Sequence, residues 1–431
     1  MSRRRWAAAA LAGGLLAALA FWLLRPAKEH VLTVGVFSGS YWGTPNGSSY
    51  QVLDDAIRRF EDSHPGVEVR YVSGIGVSDY REWLAEQLLL DTAPDVYFVV
   101  PEDFELLASA GALLPLDELV EQSGLEPQRF YPACWQEGQS AGRQYALPYE
   151  SAPTVMFVNR TLLESYGIAM PDAAWTWEDF YSICARIADA SQQKGERQFG
   201  VYGYTWQNAL YANGAALFDP EGQTCYLADS RVVEAIQFQQ RLDALNTDYR
   251  VTAKDFDLGL VAFRPFSFSE YRAYQPYPWR VKKYSSFEWD CLPMPAGPQG
   301  DNASELRTML AGINARTKQR QLAWEFLQLL CADEQTQSEL FLQSQGISPL
   351  CSVAEDPELL ARMFADASGG TVFNQQAIGE IMRCAVAVPR FPKQEQANAM
   401  AENAVSAALE QGESLSTYLQ TAQREINITL Q

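Results

Sequence analysis

Two histidines limit the catalysis open to this 431-residue chain. His30 and His64 both precede Gly138-Gln139-Ser140-Ala141-Gly142, which has the G-x-S-x-G spacing of a nucleophile elbow. A serine of that kind needs a histidine later in the chain to take its proton, and no apolar strand leads into the motif. Cys134, Cys184, Cys225, Cys291, Cys331, Cys351 and Cys384 stand singly, without a C-x-x-C pair or a histidine at ligand spacing. Thiolate catalysis and zinc binding therefore both lack partners. The odd count argues against a complete disulfide framework, and the cysteines read as small buried apolar residues. One or two pairs remain free to oxidise outside a cell. No segment alternates oxygen ligands around a glycine for Ca²⁺, and no phosphate-cradling G-x-x-x-x-G-K-[ST] occurs. Glycoside hydrolysis needs two carboxylates about 5–10 Å apart, but no barrel-like series of strand-end carboxylates appears. An enzyme, a metal and a cofactor are not expected.

The remaining chemistry is that of binding. Ser40, Tyr41 and Trp42 offer a hydroxyl and two aromatic rings, and Glu102 with Asp103 offers carboxylates. Rings stack on the C–H faces of a sugar while its hydroxyls donate to acidic side chains, so such a rim suits a polyhydroxylated ligand. Paired carboxylates would also suit a cation.

These residues need a scaffold that brings them together. Val31–Phe37 is a short apolar run, Val52, Leu53, Ala56, Ile57 and Phe60 fall at helical spacing, and Val67, Val69 and Tyr71 alternate. A helix bearing Trp83, Leu84 and Leu88 precedes Val96–Val100, apolar at consecutive positions like a strand covered on both faces. This β-α-β-α-β order predicts a doubly wound, mostly parallel sheet of the α/β class. In such sheets ligands bind beyond the carboxyl ends of the strands, where Ser40–Trp42 and Glu102-Asp103 fall. A second α/β region begins near Tyr145: a strand at Thr154–Val158, a helix capped by Thr176, a strand at Phe199–Tyr204 and a helix capped by Asp229. Phe266, Phe268, Tyr271, Tyr274, Tyr277 and Trp279 crowd the segment after the apolar run Leu258–Phe263.

At the N-terminus, Arg3, Arg4 and Arg5 precede the uncharged stretch Trp6–Leu24. That length is close to the roughly 20 residues a spanning helix needs, and the arginines predict a cytoplasmic start with the rest outside. An uncleaved transmembrane anchor is the expectation. Ala18-Leu19-Ala20 also has the small-x-small form of a signal cleavage site. The chain carries 33 Lys and Arg against 53 Asp and Glu, a formal net charge of −20. Only one acidic residue falls within the first 29 positions, so the remainder is more acidic still. Nucleic-acid binding depends on clustered cations, and this surface would repel it.

The chain after residue 30 resembles the family 1 extracellular solute-binding proteins, which feed ABC-type sugar importers. The resemblance rests on elements in family order: Phe60–Val69 (FEDSHPGVEV), Ala93–Tyr97 (APDVY), Gly111–Asp117 (GALLPLD) and Tyr145–Tyr149 (YALPY) with Asn159 beyond. Pro171 ahead of Trp175–Phe180 (WTWEDF), Ala323–Leu327 (AWEFL) and Gly346–Pro349 (GISP) complete the series. It implies a two-lobed periplasmic-binding-protein type II fold whose lobes close on ligand by hinge motion. The chain would cross between lobes near Pro148–Val155, Thr308–Ile313 and Ser344–Cys351. Residues 1–29 then form the anchor or signal, 30–150 with about 309–350 one lobe, and 151–308 with about 351–431 the other. The resemblance places Ser40, Tyr41, Trp42, Glu102, Asp103, Tyr149, Glu150, Tyr204, Trp206, Phe266, Tyr271 and Arg390 at the cleft. It implies a monomer that captures a small ligand, a carbohydrate in particular, for the permease subunits of an ABC importer. The alternative is a bilobal sensing ectodomain that signals to a membrane partner.

Overall fold

A computed structural model describes residues 30–43, 50–246, 249–274, 287–364, 375–411 and 415–431. The expected anchor at Trp6–Leu24 lies outside them, as do Tyr277 and Trp279. Among the described residues, no helix is long and apolar enough to cross a membrane.

The first β-α-β-α-β unit forms as its periodicity predicts. β1 (His30–Gly35) pairs in parallel with β2 (Val67–Tyr71), with His30 opposite Val67, and with β3 (Val96–Val99), with Val34 opposite Val96. Every β3 side chain is buried, which fits its unbroken run of apolar residues. The helix Gln51–Ser63 turns Val52, Leu53, Ala56 and Phe60 inward, a spacing that lines up on one helical face.

Beyond this unit the expectation of mostly parallel sheets is corrected. β6 (Ala146–Asn159) and β10 (Glu305–Ile313) run antiparallel to each other, and β10 is antiparallel to β3. β6 then pairs antiparallel with β8 (Val261–Ser267) and β9 (Trp289–Leu292), while β7 (Phe199–Val201) lies parallel to β8. The order β2-β1-β3-β10-β6-β8-β7, with β9 on β6 and β11 (Val386–Ala387) on β10, makes one mixed nine-stranded ladder. The cause is length. Fourteen residues of β6 extend for about 46 Å at about 3.3 Å each, enough to pair with β10 along the first half and with β8 and β9 along the second. Two further short strands, β4 (Gln139–Ser140) and β5 (Arg143–Gln144), form a separate hairpin.

Apolar packing separates into two clusters. Val155 and Phe157 face one, Met156 and Val158 the other, following the two-residue alternation of β6. The helix Trp177–Lys194 belongs to the second cluster. It starts with a capping box between Thr176 and Asp179 and ends at Gly195, whose φ of +66° favours glycine. Val353, Leu360, Ile378 and Ala385 still pack in the first cluster, whereas Phe391, Ala397 and Ile426 pack in the second. The chain thus passes from one packing unit to the other at 386–391, whereas β6 contributes side chains to both and β10 to the first alone.

Three connecting segments meet at Ser151. It exchanges both backbone hydrogen bonds with Ile347, at 2.9 and 2.7 Å, and lies opposite Thr308 on β10. The Ser151 hydroxyl is 3.1 Å from that of Thr308 and 3.2 Å from the Cys134 sulfur, all in the interior. A buried polar group that is fully bonded fixes one arrangement of the segments that meet there.

Candidate ligand cleft

The loop after β1 turns tightly. Ser38 donates its amide to Ile75 at 2.7 Å, and Ser40 Oγ accepts the Trp42 amide at 3.1 Å. The rings of Tyr41 and Trp42 then meet edge to face, 4.9 Å between centroids. The Tyr41 hydroxyl donates to Glu102 Oε1 at 2.7 Å and accepts from Arg307 Nη2 at 2.8 Å. Arg307 closes the triangle through an ion pair with Glu102. Burial alone would raise the Glu102 carboxyl. The Tyr41 hydrogen bond, its own backbone amide, Arg307 and Arg390 outweigh it and hold the group below the usual carboxylate value. Burial raises the Tyr41 phenol, so it stays protonated and can donate.

Glu305 and Arg307 sit two residues apart on β10, hence on one face. Arg390 supplies a second guanidinium to the same electrostatic neighbourhood, opposing the burial that raises Glu305 and Glu137. Beside these charges opens a cleft of ≈ 990 Å³ lined by Gln136, Trp206, Tyr211, Gln299, Glu305 and Arg390. Gln136 comes from the helix Pro132–Glu137, which packs with the first unit. Trp206 and Tyr211 come from the helix Trp206–Ala212 of the second. The opening therefore has walls from both packing units, with rings, carboxylates and the Arg390 guanidinium around it.

A family model described as bacterial extracellular solute-binding protein matches residues 42–337. This chain belongs to that family. The family is one of binding proteins and works outside the cytoplasm. Solved structures share the fold across nearly the whole length. The cyclic alpha-maltosyl-1,6-maltose binding protein of Arthrobacter globiformis is 18% identical, with a TM-score of 0.75 over 93% of this chain and 98% of that one. The sugar-binding protein MalE of Xanthomonas citri is 16% identical, with a TM-score of 0.72 over 93% and 97%. An ABC substrate-binding protein of Listeria monocytogenes, solved with cycloalternan, is 19% identical, with a TM-score of 0.65 over 93% and 98%.

In this solute-binding protein the residues singled out from sequence fall into three groups. Ser40, Tyr41, Trp42 and Glu102 cluster around Arg307 outside the lining of that cleft, whereas Arg390 lines it. Asp103, next in sequence to Glu102, faces elsewhere: Arg81 Nε donates to it at 2.7 Å, beside an outer groove that also holds Leu88 and Leu106. Trp206 lines the cleft yet is only 3% exposed, its ring packed in the second core. Tyr149 and Glu150 are buried at the connecting strand. Tyr149 packs on Phe98 at 4.7 Å, and Glu150 Oε1 accepts the Gly346 amide at 2.6 Å. Burial raises the Glu150 carboxyl, against Ser344, Trp42, the Gly346 amide and Arg272. The Trp42 indole thus lies beside this carboxylate, short of hydrogen-bond geometry.

The third group consists of core residues. Tyr204 packs edge-on against Phe180 at 5.1 Å. Phe266 packs against Phe157 at 5.4 Å with the Arg264 guanidinium 3.9 Å from its ring, and Tyr271 is fully buried beside Phe157 and Phe268. Arg307, Glu305, Glu137 and Tyr211 were absent from the sequence expectation. For the first two a signal existed, since two charges at alternate positions in an otherwise apolar strand mark a polar face.

The hairpin observed at Gln139–Gln144 explains the G-x-S-x-G spacing. Ala141 and Gly142, at φ +48° and +74°, make its tight turn. All seven cysteines are free thiols, and among the described residues no group of three or more His, Cys, Asp or Glu is placed to hold a metal ion.

Proposed function

We propose that this solute-binding protein captures a carbohydrate between its two packing units and delivers it to the permease of an ABC importer. The observation that carries this reading is the Tyr41–Glu102–Arg307 triangle, two residues along β10 from Glu305, which lines a ≈ 990 Å³ cleft with Arg390, Tyr211 and Trp206. Hydroxyl-rich ligands need both donors and acceptors, with rings to cover their C–H faces, and this group supplies all three. The sugar ligands of the structurally similar proteins support the same reading. No covalent step is required of any residue, and the protein acts as a monomer at the extracytoplasmic face of the cell membrane, tethered by Trp6–Leu24 or secreted where that segment is cleaved. A thermal-shift screen of the full-length protein against neutral saccharides, maltotetraose among them, with amino acids and polyamines as controls, tests it. Ligand binding to the native state must stabilise it, by about 2.7 kcal/mol at a hundredfold excess over Kd. Stabilisation by polyamines alone would replace the carbohydrate reading.

A sensing ectodomain is the second reading, favoured by the triple arginine ahead of an uncharged stretch. Neighbouring permease genes support transport, and a neighbouring histidine-kinase gene supports sensing.

A further inference from the structure

Glu137 ends the helix Pro132–Glu137 with its side chain in the interior, the residue only 5% exposed. Its Oε1 accepts the Val388 amide at 3.1 Å. Its Oε2 has no hydrogen-bond partner and stands 4.0 Å from Arg390 Nε. Nε and Nη2 of Arg390 are likewise buried without a hydrogen-bond partner. Two opposite charges thus face each other slightly too far apart, and a shift of about 1 Å would bring them to bonding distance.

The segment carrying Arg390 is fastened to both packing units. On one side β11 pairs with Glu305 and Leu306 of β10. On the other, the Phe391 ring meets Phe218 at 5.1 Å and sits over Gly222, where a Cβ would lie 2.0 Å from it. Between these two anchors Arg390 lines the cleft. Several charged or titratable groups face Glu137. Arg390 comes from this segment and Glu305 and Arg307 from β10, while Tyr211 reaches it from the helix Trp206–Ala212 and Cys134 from its own helix.

We propose that Glu137 is a positioning residue: ionised, it draws Arg390 into a close pair and fixes that guanidinium in the cleft, and protonated, it releases the 386–391 segment. The ligand role of Arg390 rests on the carbohydrate reading, whereas the latch itself does not. Burial pushes the Glu137 carboxyl up to about 7, against the pull of Arg390 and the Val388 amide. The switch therefore lies near neutral pH, and ligand capture weakens as the medium acidifies.

Hydrogen exchange of the full-length, ligand-free protein, read by mass spectrometry at pH 6 and pH 8 and corrected for intrinsic amide chemistry, tests the latch. Amides across 386–391 should exchange at least fivefold more slowly at pH 8. Glu137→Gln should exchange at the fast rate at both values, and Glu137→Asp should recover part of the pH dependence. Arg390→Gln, which leaves the buried carboxyl in place, should also lose the dependence. Equal exchange at the two pH values in the unmodified protein, or an unchanged profile in both Glu137→Gln and Arg390→Gln, overturns the proposal. A pH-dependent segment in a protein that no saccharide stabilises leaves the latch standing and sinks the carbohydrate reading instead.

Discussion

The Gly346 amide donates to Glu150 Oε1 at 2.6 Å, with the rest of the glycine lying flat against that side chain. A Cβ at Gly346 would come 2.4 Å from Glu150 Cγ. The neighbouring Gly346 carbonyl accepts from Arg272 Nη1 at 3.1 Å, and the same guanidinium bonds the Phe341 carbonyl at 2.7 Å. Burial lowers Arg272 to about 10, opposed by Glu150. One glycine therefore joins a buried acid to a buried base. Gly346→Ala should destabilise the protein by about 1–3 kcal/mol, the usual range for forcing atoms into a filled interior. Chemical denaturation measures it, and an unchanged midpoint would show that Glu150 can move aside.

Arg307 separates binding from stability. Its ion pair with Glu102 is more than a third exposed on both sides, a setting worth at most about 1 kcal/mol. Arg307→Met should leave the melting temperature nearly unchanged. Affinity for the saccharide found by screening should fall about tenfold or more, because the Tyr41 hydroxyl and Glu102 lose their shared donor. Titration calorimetry on both proteins decides it. Equal affinities would place the ligand elsewhere.

Trp206 behaves in the opposite way. Its ring is packed in the second core, so Trp206→Ala should cost roughly 3–5 kcal/mol of stability whatever it does to the ligand. Trp206→Phe keeps most of the packed volume and isolates any contribution to binding. A Trp206→Ala protein as stable as its parent would mean that the ring projects into the cleft instead.

Asp290 supplies a pH test away from the cleft. Burial pushes its carboxyl from 3.8 up to about 6, against the Cys291 amide and Arg160. A raised carboxyl binds its proton more tightly in the folded state. The stability it contributes is fully present below about pH 4 and is lost as pH rises through 6. Asp290→Asn should match the parent at pH 4 and exceed it by roughly 2–3 kcal/mol at pH 8. Melting curves that differ equally at both pH values would contradict this assignment.

The first β-α-β-α-β unit was legible in sequence because each element there buries a continuous or evenly spaced apolar face. The long strand β6 was legible only in part. Pro148 and Pro153 interrupt its pattern, and proline is normally confined to strand edges. In that half β6 pairs along its length with β10 alone and meets the third segment only at Ser151, so the prolines are tolerated. Phe266 and Tyr271 show a different limit. Chain position places them at a strand end, but the side-chain direction there is set by what packs against it, and Phe157 draws both inward. Glu137 gave no signal at all, since its role depends on Val388 and Arg390, some 250 positions away.

Because β6 is hydrogen-bonded first to β10 and then to β8 and β9, neither half of the molecule can melt without fraying an edge of the other. Heat should therefore produce one calorimetric peak rather than two. A chain emerging N-terminus first also cannot complete its opening sheet until β10 has been synthesised, which leaves the exposed edge of β3 as the surface on which aggregation would begin.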